Sequence, residues 1–358
     1  MKTAIIGLPM TGKTSLFTIL TGRHEAARVG VLETRAGVAQ VPDARLAALA
    51  AVFEPENITH ATVEYLDFPA LSREALRDPG TVASLRMVDA FAQVLRVFES
   101  DTVPHEKGSV DPLRDLEDLE TELILSDLVV VEKRIEKLEK DRKKMKSAEL
   151  DREFELLGRA RALLEENRPL RALDLTADQD KRMRGFQFLS QKPMLYVLNL
   201  GEADAAQLHS IEGGYRGGAL AGRRQTAVTA ICGKIEAELA ELEGDDARDL
   251  LAGYGLPESG LERLIAATYA VLGQISFLTA GETEVRAWPI PAGSTALEAA
   301  GTIHSDFEKK FIRAEVIPWK DLIDHDGYAG AREKGLLRLE GKEYVVREGD
   351  VLVIRHGS

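Results

Sequence analysis

The first twenty residues constrain this chain most, because a short apolar run, Thr3 to Ile6, meets a glycine loop and then a helix-forming run, Lys13 to Leu20. Strand, loop and helix in that order open a nucleotide-binding α/β domain. The loop, Gly7-Leu8-Pro9-Met10-Thr11-Gly12-Lys13-Thr14, fits G-x-x-x-x-G-K-[ST] in the context where that pattern has a mechanism. Its glycines let backbone N–H groups curl round phosphates, and the helix N-terminus adds positive potential. Lys13 is placed to meet the β- and γ-phosphates and Thr14 to hold Mg²⁺. The expected binding set is Gly7, Pro9, Met10, Thr11, Gly12, Lys13, Thr14 and Ser15.

Further apolar runs at 63–66, 90–98, 193–198 and 226–231 are separated by helix-length segments, as in an open parallel sheet. Asp67 closes the first of these runs, where a P-loop protein needs an acid to hold Mg²⁺ through water; capping a helix is the alternative role. Asn199-Leu200-Gly201-Glu202 follows the run 193–198, in the position where GTPases carry N-K-x-D, but without the lysine and the aspartate. Glu202 carries one more methylene than aspartate, so a paired contact with the two guanine-edge donors is misplaced and ATP becomes the better guess than GTP. Asn199 can bond a purine edge and Leu200 can offer an apolar face to the base, unless the segment is a turn without a ligand. Cys232-Gly233-Lys234, after the run 226–231, completes the base pocket by position; a buried strand-end cysteine is equally ordinary packing.

From about Asp111 to Asp180 the composition shifts to Glu, Lys, Arg and Leu, with Leu116, Leu119, Leu123, Val130, Leu138 and Met145 recurring at intervals near three to four. Asp111-Pro112 reads as an N-cap with a first-turn proline, and Lys146-Ser147-Ala148 as a turn before a second helix through Asn167. An antiparallel helical hairpin is expected, with a long solvated surface helix as the alternative. After Tyr269 glycines and prolines punctuate short strand-like runs such as Val285 to Trp288, and a small α+β module begins. Its end, Lys342 to Ile354, reads as two strands joined by a turn at 347–350.

With 358 residues the chain exceeds what one core usually organises, roughly 250 to 300 residues. The expected division is a split α/β domain, 1–110 and 181–273, an inserted arm, 111–180, and a C-terminal module, 274–358. A net charge of −13 argues against coating nucleic acid by charge alone. A single cysteine suits a reducing compartment, and no stretch approaches the roughly 18 apolar residues of a membrane span, so the cytoplasm is expected, with no membrane partner.

In this order, these residues resemble the YchF or Obg-like ATPase family of translation-factor GTPases. The resemblance runs nearly end to end, through Val41-Pro42-Asp43-Ala44-Arg45-Leu46, Thr121 to Leu128, the Asn199-x-x-Glu202 motif and Cys232 to Glu238. It is closest in Phe277 to Gly281, Glu284 to Trp288 and Ala299 to Glu315. It implies a G domain split by a coiled-coil arm, a ubiquitin-like β-grasp TGS domain at the C-terminus, ATP (or GTP) with Mg²⁺, preference for ATP, and association with ribosomes or rRNA, in a monomer. It also implies a hydrophobic residue, Leu71, in place of a water-orienting glutamine, and a loop histidine assisting hydrolysis at His105, whose alternative is a solvated loop residue. The implied catalytic pair is therefore His105 and Lys13.

Several positions depart from that family. Ala70 stands where the family has a glycine able to turn toward the γ-phosphate, 72–84 keeps Gly80 alone of a glycine-rich segment, and the switch threonine falls at Val31, with Thr34 available in a shifted register. Slow hydrolysis, or nucleotide binding without a full switch, is the corresponding expectation. His304, Lys309, Lys310 and Arg313 form a candidate basic patch for rRNA phosphates, or a solvated face balanced by Asp306, Glu308 and Glu315.

Overall fold

The structure, a computed structural model, describes residues 1–22, 34–71, 74–242 and 244–357; Val31 and the start of the 72–84 segment lie outside them. Among the described residues twelve strands follow in chain order: β1 (Lys2–Ile6), β2 (Arg35–Gln40), β3 (Asn57–Thr59), β4 (Thr62–Asp67), β5 (Ala90–Arg96), β6 (Met194–Asn199), β7 (Thr226–Ile231), β8 (Gln274–Ala280), β9 (Glu284–Pro291), β10 (Phe311–Pro318), β11 (Arg338–Glu340) and β12 (Asp350–His356). The chain divides into two compact units, 1–38 with 64–271, and 39–63 with 272–358.

The first unit is built on a sheet of order β2-β4-β1-β5-β6-β7, in which β4, β1, β5, β6 and β7 run parallel. β5 and β6 are buried along their whole length, as strands covered on both faces must be. One core cluster packs Ile6, Phe91, Leu95, Tyr196 and Leu198 of the sheet against Leu116, Leu119 and Leu123. Those leucines belong to the first turns of a 33-residue helix, Pro112–Lys144. The root of the arm is thus part of the sheet's own core.

Asp111 caps that helix by accepting from the Arg114 N–H, Pro112 fills its first turn, and Ser147 caps the return helix, Ala148–Glu165. Arg134 pairs with Glu153 and Arg142 with Asp151, so the numbering runs in opposite senses and the hairpin is antiparallel. The seam is Ile124, Val131, Ile135 and Leu138 against Leu156, Leu157, Ala160 and Leu164. Val130 is only partly buried, and Met145, expected in the apolar stripe, is 61% exposed at the turn. Met145 is the first residue after the helix and takes an extended backbone, so it no longer continues the apolar stripe.

The second unit has a sheet of order β11-β10-β12-β8-β9-β3, with β8–β9 and β10–β12 antiparallel and β12–β8 parallel. A helix, Ala296–Ile303, capped by a reciprocal Thr295–Glu298 box, packs Ala296 and Ala299 on Phe277, Ile290, Val316 and Leu352. Hairpin, helix and a parallel central pair make a β-grasp arrangement. Residues 39–63 belong here: β3 extends the sheet beside β9, and Asp43 caps the helix Ala44–Phe53 while binding the Arg45 guanidinium, which also reaches Glu348. The motif Val41 to Leu46 is therefore structural in this unit.

The hairpin expected at 342–354 does not form. β12 already has β10 on one edge and β8 on the other, leaving no edge for a third partner. Lys342 to Val346 instead crosses the start of the helix, through a bridge between Thr295 and Val345 and a bond from Val346 N–H to Ser294 O. Tyr344 donates to Asp350 Oδ2 and holds it there, while the turn at 347–350 is present. Among the described residues no helix is long and apolar enough to cross a membrane.

Candidate functional site

At the C-terminal edge of β1 the backbone takes conformations that only glycine enters cheaply. Gly7 has φ +148° and Gly12 φ +97°; a Cβ on Gly7 would lie 2.7 Å from Val94 O, and one on Gly12 would fall on the Asn199 side chain. Met10, 63% exposed, also holds a positive φ of 58°, a strained value for a branchless side chain that the loop's curl imposes. Gly12 offers no side-chain cap to the helix Lys13–Thr21, so that helix begins with uncapped N–H donors facing the loop. These are the elements of an anion cradle.

Lys13 is 7% exposed and donates from Nζ to Leu8 O at 2.6 Å, folded over its own loop. Burial pulls its ammonium down to about 8, against the attraction of Asp67 and Glu106. Thr14 Oγ1 donates to Asp67 Oδ2 at 3.1 Å. Asp67, also buried, has its carboxyl pushed above the ordinary range by burial, with Thr14, Lys13 and Arg35 opposing, and its Oδ1 has no hydrogen-bond partner. A hydroxyl and an orphaned carboxylate oxygen side by side fit Mg²⁺, which keeps several waters and takes its other ligands from phosphate.

Asn199 ends β6 in register with Arg96 and Ile231. Its Nδ2 donates to Thr11 O at 2.9 Å and its Oδ1 accepts from Gly233 N–H at 3.0 Å. The amide thus bridges the phosphate loop and the loop after β7. Leu200 donates its N–H to Ile231 O and is 2% exposed, turning into the core the apolar face expected toward a base. Cys232 is likewise buried, its thiol pushed up by burial. Glu202 is paired with Lys234 and accepts from Tyr254 OH at 3.2 Å; the lysine contact holds its carboxyl below the usual range. Ser15 lies exposed in the first turn of the helix.

His105 is not a solvated loop residue. Its side chain is 4% exposed; Nδ1 accepts from Lys107 N–H at 3.1 Å, leaving Nε2 to donate to Asp115 at 2.8 Å. Asp115 is held in turn by Arg114. Leu71, 1% exposed, packs in the core and donates its N–H to Gly7 O, so its side chain is turned away from solvent. Sequence reasoning missed Asp115, Tyr254 and Glu106, and it missed Arg96, a fully buried guanidinium bonded to Phe98 O and Val103 O across the loop leading to His105. An arginine inside the apolar run 90–98 was the available signal.

In the second unit His304 caps the short helix Ser305–Lys309 and lies 3.7 Å from Asp306, while Glu315 is taken by Arg332 and Arg355. Among the described residues Lys309, Lys310 and Arg313 pair with no carboxylate within ion-pair distance.

Residues 274–357 match the family model YchF-GTPase_C, described as "Protein of unknown function (DUF933)". The chain is 39% identical over 362 residues to the "Ribosome-binding ATPase YchF" of Bacillus subtilis, covering 99% of each. It is 40% identical to the protein of the same name from Haemophilus ducreyi, covering 99% of this chain and 98% of that one. The structure of the Schizosaccharomyces pombe YchF GTPase superposes with a TM-score of 0.84 at 27% identity, covering 99% of this chain and 97% of that one.

Proposed function

The chain belongs to the YchF family, and from that premise we propose that it is a P-loop ATPase that binds MgATP in preference to GTP and acts on the ribosome, as a monomer in the cytoplasm. The observation that carries the reading is the convergence of Gly12, Lys13, Thr14 and Asp67 at one strand edge. Backbone N–H groups and the Lys13 ammonium would hold the phosphates, and Thr14 with Asp67 would hold Mg²⁺, whose chemistry is to neutralise charge on the β- and γ-oxygens. Catalysis would then be positioning and electrostatic stabilisation.

The ATP preference rests on Glu202. Its carboxylate is one methylene longer than the aspartate that reads guanine and is already engaged by Lys234 and Tyr254. Competition against a fluorescent ATP analogue is the test: ATP is expected to displace it at least about tenfold better than GTP. Glu202→Asp, whose shorter side chain gives up the reach to Lys234, is expected to narrow that ratio. GTP competing as well as ATP in the unmodified protein would rule the preference out.

For hydrolysis, His105 has to exchange Asp115 for a water, and His105→Ala is expected to lower kcat by about 10²-fold with KM little changed. Unchanged kcat removes the role. The second reading, a nucleotide-dependent binding module without useful turnover, is favoured by both His105 nitrogens being engaged and by Ala70 standing in a glycine position; retained ATP binding with no phosphate release selects it. A GTP-specific switch is the weaker third reading.

We assign the ribosome-facing roles to the arm, taken as 111–180, and to the TGS module, 274–358, with 1–110 and 181–273 as the split G domain, apart from 39–63, which pack in the second unit. The uncompensated Lys309, Lys310 and Arg313 support an rRNA phosphate contact.

A further inference from the structure

The parallel sheet of the first unit has a second edge, where β5, β6 and β7 begin, opposite to the glycine loop. There the segments 170–175 and 180–193, at the root of the arm, form an open chamber of about 530 Å³ with residues 86–89 and 224–225. Five cationic side chains line it, Arg86, Arg171, Arg184, Lys192 and Arg224, in a protein whose net charge is −13. Three have carboxylate partners: Arg171 with Glu120, Arg184 with Asp180 and Arg224 with Asp174.

Arg86 and Lys192 do not. Lys192 Nζ donates to Arg86 O at 2.9 Å and Val88 O at 2.6 Å, two neutral acceptors that fix the ammonium without cancelling its charge and leave one of its three donors over. Arg86 forms no ion pair within 4 Å among the described residues, and its Nε is buried without an acceptor, a vacancy that native interiors rarely keep. The neighbouring carboxylates stand beyond ion-pair distance: Asp127, bonded by the Leu189 and Ser190 backbone and the Ser190 hydroxyl, attracts Arg86 and Lys192, and Asp89, which lines the chamber and accepts from Lys2 N–H, attracts Lys192. The chamber wall is also strained. Gln187 and Gln225, both lining it, hold φ near +50°, two of the six non-glycine residues with positive φ among those described. Strain of this kind gathers at ligand sites.

We propose that this chamber is a second anion site, separate from the phosphate loop, that takes a small molecule carrying two or more linked phosphates. A guanidinium and an ammonium lining one chamber suit phosphate oxygens, and the volume lies within the roughly 300 to 1,000 Å³ of small-molecule sites, larger than one phosphate needs. Burial holds the Lys192 ammonium below its ordinary pKa, and an arriving anion would reverse that.

The test uses full-length Lys13→Ala protein, in which the phosphate loop is disabled, titrated calorimetrically with inorganic pyrophosphate without Mg²⁺. Saturable one-site binding is expected, weakened at least about tenfold by adding Arg86→Gln. Lys192→Gln also removes two structural bonds, so Arg86→Gln is the deciding variant; on its own it should leave ATP affinity at the loop within about twofold. Absence of heat in Lys13→Ala, or binding indifferent to Arg86→Gln, overturns the proposal. So does displacement of pyrophosphate by a short RNA but not by ADP, which would make the site a backbone contact. Because the first site is already silenced, failure here says nothing against ATP binding there.

Discussion

Lys13→Ala is expected to reduce nucleotide turnover by at least about 10²-fold, since it removes a cation buried in the cradle. Its effect on stability has the opposite sign. In the nucleotide-free protein the drop of the Lys13 pKa from 10.5 to about 8 means that burial disfavours the charged form by about 3 kcal/mol. Below pH 8 both folded and unfolded chains carry the proton and the whole penalty is present. Between pH 8 and 10.5 the unfolded chain binds more protons than the folded one, so stability rises with pH as the penalty is relieved. Lys13→Met, which keeps the apolar stem, should therefore melt a few degrees above the parent protein at pH 7 without nucleotide, and the gap should close by pH 10. Adding MgATP should raise the melting temperature of the parent and leave the variant where it was. Turnover in Lys13→Ala within tenfold of the parent would sink the reading of the loop.

The loop was legible in sequence because everything that shapes it is local: two glycines at fixed spacing, a strand before and a helix after. The arm was legible for the same reason, through Asp111, Pro112 and Ser147 at the helix ends. What escaped depends on partners distant in sequence. The fate of Lys342 to Val346 was decided by β8 and β10 occupying both edges of β12, which no local alternation records. Residues 39–63 carry helix and strand signals that would suit either unit, and β3 was settled by pairing with β9, more than two hundred residues away. For His105 the sequence left a hydrolytic role and a solvated loop position both open, and only the fold places Asp115 beside it, while the chamber gathers Arg86, Arg171, Lys192 and Arg224 from four separate segments. A hydrophobic pattern reports which face a side chain takes; it is silent about which charged neighbour arrives there.

Asn199 shows the same limit inside the site itself, and it yields the sharpest remaining prediction. Read from sequence, it is a base-edge contact; in the structure its oxygen and one N–H are occupied by Gly233 and Thr11. Asn199→Ala would strand the Thr11 carbonyl and the Gly233 N–H in a region where the parent side chain is 6% exposed. Leaving buried partners unmet costs about 1 to 3 kcal/mol each, so the cradle should loosen and nucleotide affinity fall by about 10²-fold. Since that loss comes from the phosphate end, ATP and GTP should weaken together and their ratio hold. A ratio that moves severalfold while ATP affinity stays would return Asn199 to base reading. Gly12→Ala should reach the same state from the other side, because its new methyl group would displace the Asn199 amide and its φ of +97° is strained for alanine. If both changes act on one clamp, the double variant should be little worse than either alone, whereas independent roles would multiply the two losses.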